Sequence, residues 1–253
     1  MTARTRLAIV ASHPIQYYVP LYRVLAASAE LDLHVLYCSR IGLDKTFDPE
    51  MGVEIVWNMD LLGGYSHEFL PEARRINRAS LLEINNPSVT AALLRAGPEV
   101  VIVHGYGMIT MLRALAWCRM KRIPAIMTSD SSTHSSGPGA RRQLKLAALP
   151  LLLRQYSAFL TMSQRGEDYL ESLSVPRGKM FRTPMLVPET FWTFRNSRAD
   201  VRRGMRRELQ LADSDLVLLY VGKLYAGKRA DAAGRRRKSH AAQAAFAGRF
   251  ALS

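Results

Sequence analysis

Two histidines, an aspartate and two lysines of this 253-residue chain stand where side chains could do chemistry. His13 and Gln16 follow the apolar run RLAIVA (6–11). An imidazole and an amide just beyond a buried strand can hydrogen-bond the hydroxyls of a ligand; His13 capping the next helix is the alternative. His104 closes a second run and opens VHGYG. There Gly105 and Gly107 let the backbone approach a ligand closely, and Tyr106 would line the cleft. The rival is a core histidine satisfied internally. Asp130, in TSDSS, follows the next apolar run. It either faces the same cleft or closes a turn on its own backbone. GKLYAGK sets Gly222, Lys223 and Lys228 directly after LVLLYV. Two ammonium groups beyond a strand can stabilise an anionic ligand, or can be solvated surface lysines.

Positioning these groups requires a particular framework. Arg6–Ala11, Leu31–Tyr37, Glu99–His104, Pro124–Thr128, Ala158–Met162 and Lys179–Arg182 read as strands, several apolar on both faces. Tyr18–Ser28, Pro87–Ala96, Met108–Lys121, Arg141–Tyr156 and Ser163–Leu173 read as the helices between them. Strand and helix in alternation, with nearly continuous apolar strands, predict an α/β fold, a Rossmann-like doubly wound parallel sheet. Thr46–Glu72, with WNMDLLGGY, lacks a helical period and reads as an irregular excursion or short hairpin, with Gly63, Gly64 and Tyr65 shaping a loop.

Composition narrows the class. With 48% apolar and 22% charged residues, disordered and fibrous classes are excluded. Cys38 and Cys118 are too far apart for a CxxC centre or cysteine zinc site and read as small core residues. The longest apolar run, Leu146–Leu153, is eight residues and contains Pro150, against about 20 for a spanning helix. No secretory leader is read at the start, so a cytoplasmic location is expected. The net charge of +14 is uneven: residues 1–118 carry ten Lys and Arg against eleven Asp and Glu, while 119–154, 195–209 and 229–253 hold the excess. Without aromatic interleaving or a helix-turn-helix pattern, nucleic acid is not expected as a partner. An anionic membrane or a phosphorylated ligand suits the patches. GARRQLKLAALPLLLRQY (139–156) reads as a basic amphipathic helix, which admits peripheral contact with the inner face of a membrane.

Four segments in order carry a resemblance: SHPIQYYVPLYRVLA (12–26), WNMDLLGGY (57–65), VIVHGYG (101–107) and LLYVGKLYAGKR (218–229). Together they resemble family 4 glycosyltransferases, two-domain GT-B enzymes that use nucleotide-sugars. The resemblance implies an acceptor-binding domain at 1–188, with His13, Gln16, His104, Tyr106 and Asp130 at the acceptor. It implies a linker and basic helix at 189–214, then the first strand and phosphate loop of a donor domain at 215–229. There Gly222, Lys223 and Lys228 would hold the donor diphosphate. It further implies retaining hexosyl transfer to a lipid-linked or polysaccharide acceptor of the cell envelope, with no metal and no cofactor beyond the nucleotide-sugar. No catalytic base is assigned. Sugar-nucleotide epimerases share the architecture, but the G-K-L-x-x-x-K start of the second domain weighs against them. Family members carry a Glu-x7-Glu that binds the donor, whereas the last glutamate here is Glu208. Residues 230–253, rich in Ala and Arg, are expected to be a frameshifted or disordered tail. The chain alone is therefore expected to be inactive, and a non-catalytic remnant that binds acceptor or anionic membrane is the alternative.

Overall fold

The computed structural model describes residues 3–43, 46–48, 53–55, 59–74, 80–129, 148–183, 186 and 198–217. The chain divides into two compact units, Met1–Thr46 with Glu54–Val187, and Phe47–Val53 with Pro188–Ser253.

The strands are Thr5–Ala11 (β1), Leu31–Tyr37 (β2), Thr46–Asp48 (β3), Val53–Ile55 (β4), Ser66–Phe69 (β5), Val100–His104 (β6), Ala125–Ser129 (β7), Ala158–Thr161 (β8) and Met180–Arg182 (β9). The described helices are Val19–Ala27 (α1), Val89–Ala96 (α2), Ile109–Lys121 (α3), Gln164–Ser172 (α4) and Arg198–Glu208 (α5), and residues 148–153 are also helical. Seven strands make one sheet in the order β5-β2-β1-β6-β7-β8-β9, while β3 and β4 form a separate two-stranded sheet. Every pairing in the large sheet is parallel. The fold is thus an α/β, Rossmann-like doubly wound sheet. Its chain order runs outward from β1 through β2 to β5, then restarts on the other side at β6. That reversal opens a crevice at the carboxyl ends of β1 and β6.

Burial follows from strands covered on both faces. Leu7, Ile9 and Ala11 of β1 join Leu33, Val35, Val19 and Tyr22 in one apolar layer. Ala8 and Val10 join Leu36, Leu93, Met111, Trp117, Met127, Cys38 and Cys118 in the other. Cys38 and Cys118 are both buried free thiols, as expected of small core residues.

Two differences from the sequence expectation concern α2 and β5. Helix α2 starts at Val89, not Pro87, because the Glu72 carboxylate accepts from the Ser88 backbone N–H at 3.1 Å and also from its hydroxyl. That carboxylate completes the helix entry from sixteen residues away. The second difference is β5, a strand of the large sheet inside the segment expected to be an irregular excursion or short hairpin. Ser66–Phe69 pairs in register with His34–Tyr37, and the His34 Nδ1 and Ser66 Oγ lie 2.8 Å apart. Helix α4 begins as its sequence implies, with Ser163 Oγ accepting from the Gly166 N–H.

In the second unit, the buried Arg206 of α5 donates from Nη2 to the carbonyls of Ala212, Asp213 and Asp215 at 2.6, 3.2 and 2.6 Å. Those bonds fold residues 211–215 back on the helix end. Val201 and Met205, four residues apart, stay exposed.

Candidate ligand site at the sheet crevice

Strand β1 delivers its chain to the crevice through Ser12–Tyr17. The Cys38 N–H donates to the Ala11 carbonyl at 3.0 Å, and the Ser39 hydroxyl donates to the Ser12 carbonyl at 2.9 Å. The loop then turns on the Ile15 carbonyl, which accepts from the Tyr18 N–H at 2.9 Å and leads into α1. His13 is partly buried, and its Nδ1 lies 2.9 Å from Ser12 Oγ. The Ser12 hydroxyl has no other partner among the described residues, so this bond engages Nδ1 and leaves Nε2 without one. Burial pushes the His13 imidazole down to about 4, so the ring is neutral at pH 7.

Strand β6 delivers His104, 8% exposed, directly across from β1. Its Nε2 lies 3.0 Å from the Tyr22 hydroxyl, and the Tyr18 ring packs 4.4 Å from the imidazole. Burial, assisted by the nearby His13, pushes this imidazole down to about 3. The chain then leaves through Gly105 at φ +75°, whose N–H donates to the Thr128 carbonyl of β7 at 2.8 Å. Open space lies where a Cβ on Gly105 or Gly107 would sit.

Tyr106 stands half-buried with its hydroxyl 3.3 Å from that of Tyr169 on α4. Gln16 is half-buried beside His13. Of these residues, His13 and His104 are near enough to interact electrostatically, while Tyr106 packs against the apolar layer on the other face of the sheet. Asp130, Gly222, Lys223 and Lys228 lie outside the described residues, as do 139–147 of the 139–156 stretch and the LVLLYV segment beyond Val217.

Sequence reasoning missed the aromatic bed beside His104, in which Tyr18 packs against Tyr17 and Tyr22. Tyr22 meets Tyr65 edge-on at 5.5 Å, and the Tyr65 and Tyr37 hydroxyls lie 2.7 Å apart. Tyr37 in turn stacks on Phe69 of β5. The available signal was the four-residue spacing of Tyr18 and Tyr22 on α1. Gly63 and Gly64 serve turn construction. Asp60 Oδ1 accepts from the Leu62 and Gly63 N–H groups, Arg23 donates to the Gly63 carbonyl at 2.9 Å, and Gly64 sits at φ +90°. Those backbone donors hold the Asp60 carboxyl below its usual value.

A cavity of about 350 Å³ lies at the opposite, amino ends of β1 and β2, lined by Arg6, Asp32, His34, Glu68 and Arg95 among others. Among the described residues no cluster of His, Cys, Asp and Glu could hold a metal ion, and no helix is long and apolar enough to cross a membrane.

The family profile of the glycosyl transferase 4-like domain matches residues 21–185. No curated protein sequence matches the chain. Similar solved structures include the UDP-GlcNAc 2-epimerase of Neisseria meningitidis bound to UDP-GlcNAc, at TM-score 0.46 and 16% identity over 82% of this chain and 53% of that one. The UDP-N-acetylglucosamine 2-epimerase of Rickettsia bellii gives 0.46 and 10%, over 83% and 52%. A sucrose-phosphate synthase structure from Thermosynechococcus elongatus gives 0.48 and 13%, over 79% and 99%. The chain thus spans about half the length of the two epimerases.

Proposed function

The chain belongs to the glycosyl transferase 4-like family, and on that premise we propose that its crevice binds the acceptor in a nucleotide-sugar-dependent glycosyl transfer. The observation that supports this most directly is the pair of neutral imidazoles just beyond β1 and at the end of β6, where the sheet order reverses. Each ring spends one nitrogen on the protein, His13 on Ser12 and His104 on Tyr22. Each keeps the other nitrogen without a partner among the described residues. Neutral donors suit sugar hydroxyls, which offer many weakly polar oxygens and no charge.

The proposal extends to retaining hexosyl transfer onto a lipid-linked or polysaccharide acceptor. The diphosphate of the donor would lie against Gly222, Lys223 and Lys228, with no metal. The chain alone would transfer no sugar. Turnover of a nucleotide-sugar by the purified 253-residue chain would overturn that part.

Titration calorimetry against a panel of oligosaccharides and detergent-solubilised glycolipids tests the central reading. His13→Ala and His104→Ala should each weaken glycan binding about tenfold or more while leaving UDP and GDP binding unchanged. Lys223→Ala and Lys228→Ala should do the reverse. No glycan binding, or binding indifferent to both histidines, would sink the reading. Peripheral contact with an anionic membrane is a second reading, favoured by the exposed Val201 and Met205 on the arginine-rich α5. Co-sedimentation with liposomes that ignores their anionic lipid content would remove it.

A further inference from the structure

Tyr22 is an α1 residue, 1% exposed, whose hydroxyl has His104 Nε2 as its one partner among the described residues, at 3.0 Å. A buried phenolic O–H requires an acceptor. The ring nitrogen can supply one only if it carries no proton. The opposite arrangement, with Nε2–H donating to the phenol, would leave the Tyr22 hydrogen without an acceptor among the described residues. The proton of this neutral imidazole therefore sits on Nδ1.

Nδ1 has no acceptor among the described residues. The residue keeps 8% of its surface exposed. An N–H without a protein partner among the described residues, in a ring that is not wholly covered, is an unspent donor.

We propose that Tyr22 is a positioning residue that fixes the Nδ1–H tautomer of His104 and thereby makes the imidazole a hydrogen-bond donor to a ligand oxygen. The lone pair on Nε2 is occupied by the phenol and Nδ1 bears the proton, so His104 binds without acting as a base. The Tyr18 ring against the imidazole and the edge of Tyr65 against Tyr22 hold the pair in this pose. The ligand part of the proposal rests on the acceptor reading above; the tautomer part rests on the hydrogen-bond accounting alone.

Long-range proton–nitrogen correlation on the ring-labelled full chain reads the tautomer directly. In the wild type, His104 should show a protonated Nδ1 and an unprotonated Nε2. Tyr22→Phe, which keeps the ring and removes only the hydroxyl, should shift the population toward Nε2–H. It should also weaken oligosaccharide binding about two- to tenfold. A wild-type ring protonated at Nε2 would overturn the proposal even if the variant failed to fold, as would a tautomer that Tyr22→Phe leaves unchanged. The expected tautomer, with no response of Nδ1 to any oligosaccharide in the panel, would instead remove the acceptor reading and leave the Tyr22 assignment standing.

Discussion

The two ends of the parallel strands are built on opposite terms. At the amino ends a cavity of about 350 Å³ is rich in charge, yet its cations are engaged. Arg6 donates to the Gly97 carbonyl at 2.6 Å and pairs with Glu99 at 3.7 Å, Arg95 pairs with Glu68 at 3.2 Å, and His34 meets Ser66 at 2.8 Å. At the carboxyl ends the imidazoles are neutral and that of His104 rests on Tyr18 and Tyr22, with one nitrogen of each ring without a partner among the described residues. Hollow volume marks the first end and unspent bonding capacity the second. Recognition needs the latter, since a ligand gains little from groups that already satisfy one another.

The sharpest way to break this contrast is to remove its aromatic support. Tyr22→Ala deletes a fully buried ring and should cost about 3–5 kcal/mol in urea unfolding. Acid should act next. Both imidazoles have folded values below the ordinary 6.5, at about 4 and about 3, so the unfolded chain binds protons that the folded chain refuses. Stability should therefore be flat with respect to these groups above pH 6.5. Between 6.5 and 4 it should fall by up to about 1.4 kcal/mol per pH unit for each ring. His104→Asn should halve that slope, and a slope unaffected by it would contradict the burial of the ring. Gly105→Ala meets no steric neighbour, so its cost is the backbone alone, about 1–2 kcal/mol for holding alanine at φ +75°. Smallest is Arg95→Ala at the amino end. An exposed pair contributes at most about 1 kcal/mol, and glycan binding should not change. A large loss of binding there would invert the comparison.

The strands flanking the crevice were legible because β1, β2 and β6 are apolar on both faces, a pattern that only a covered parallel sheet requires. Strand β5 was not, because Ser-His-Glu-Phe has a single apolar residue and joins the sheet through its backbone and the His34 contact. The start of α2 depends on a carboxylate distant in sequence, which no local spacing encodes. His104 illustrates a different limit. The sequence posed a choice between a satisfied core histidine and a cleft ligand, whereas the two ring nitrogens divide those roles. Its partner Tyr22 lies 82 residues earlier in the chain. Such long-range pairing becomes visible only when the sheet order brings α1 beneath β6.

The two thiols in the layer shared by Val10, Leu36 and Trp117 carry a consequence for how that layer opens. Burial pushes both thiols up, Cys118 to about 12, so neither presents a reactive thiolate while the layer is closed. A thiol reagent then works as a stopwatch for exposure. Modification of Cys38 and Cys118 at one common rate would mean that the layer parts as a single cooperative unit. Two separate rates would divide it between the β2 side and the α3 side.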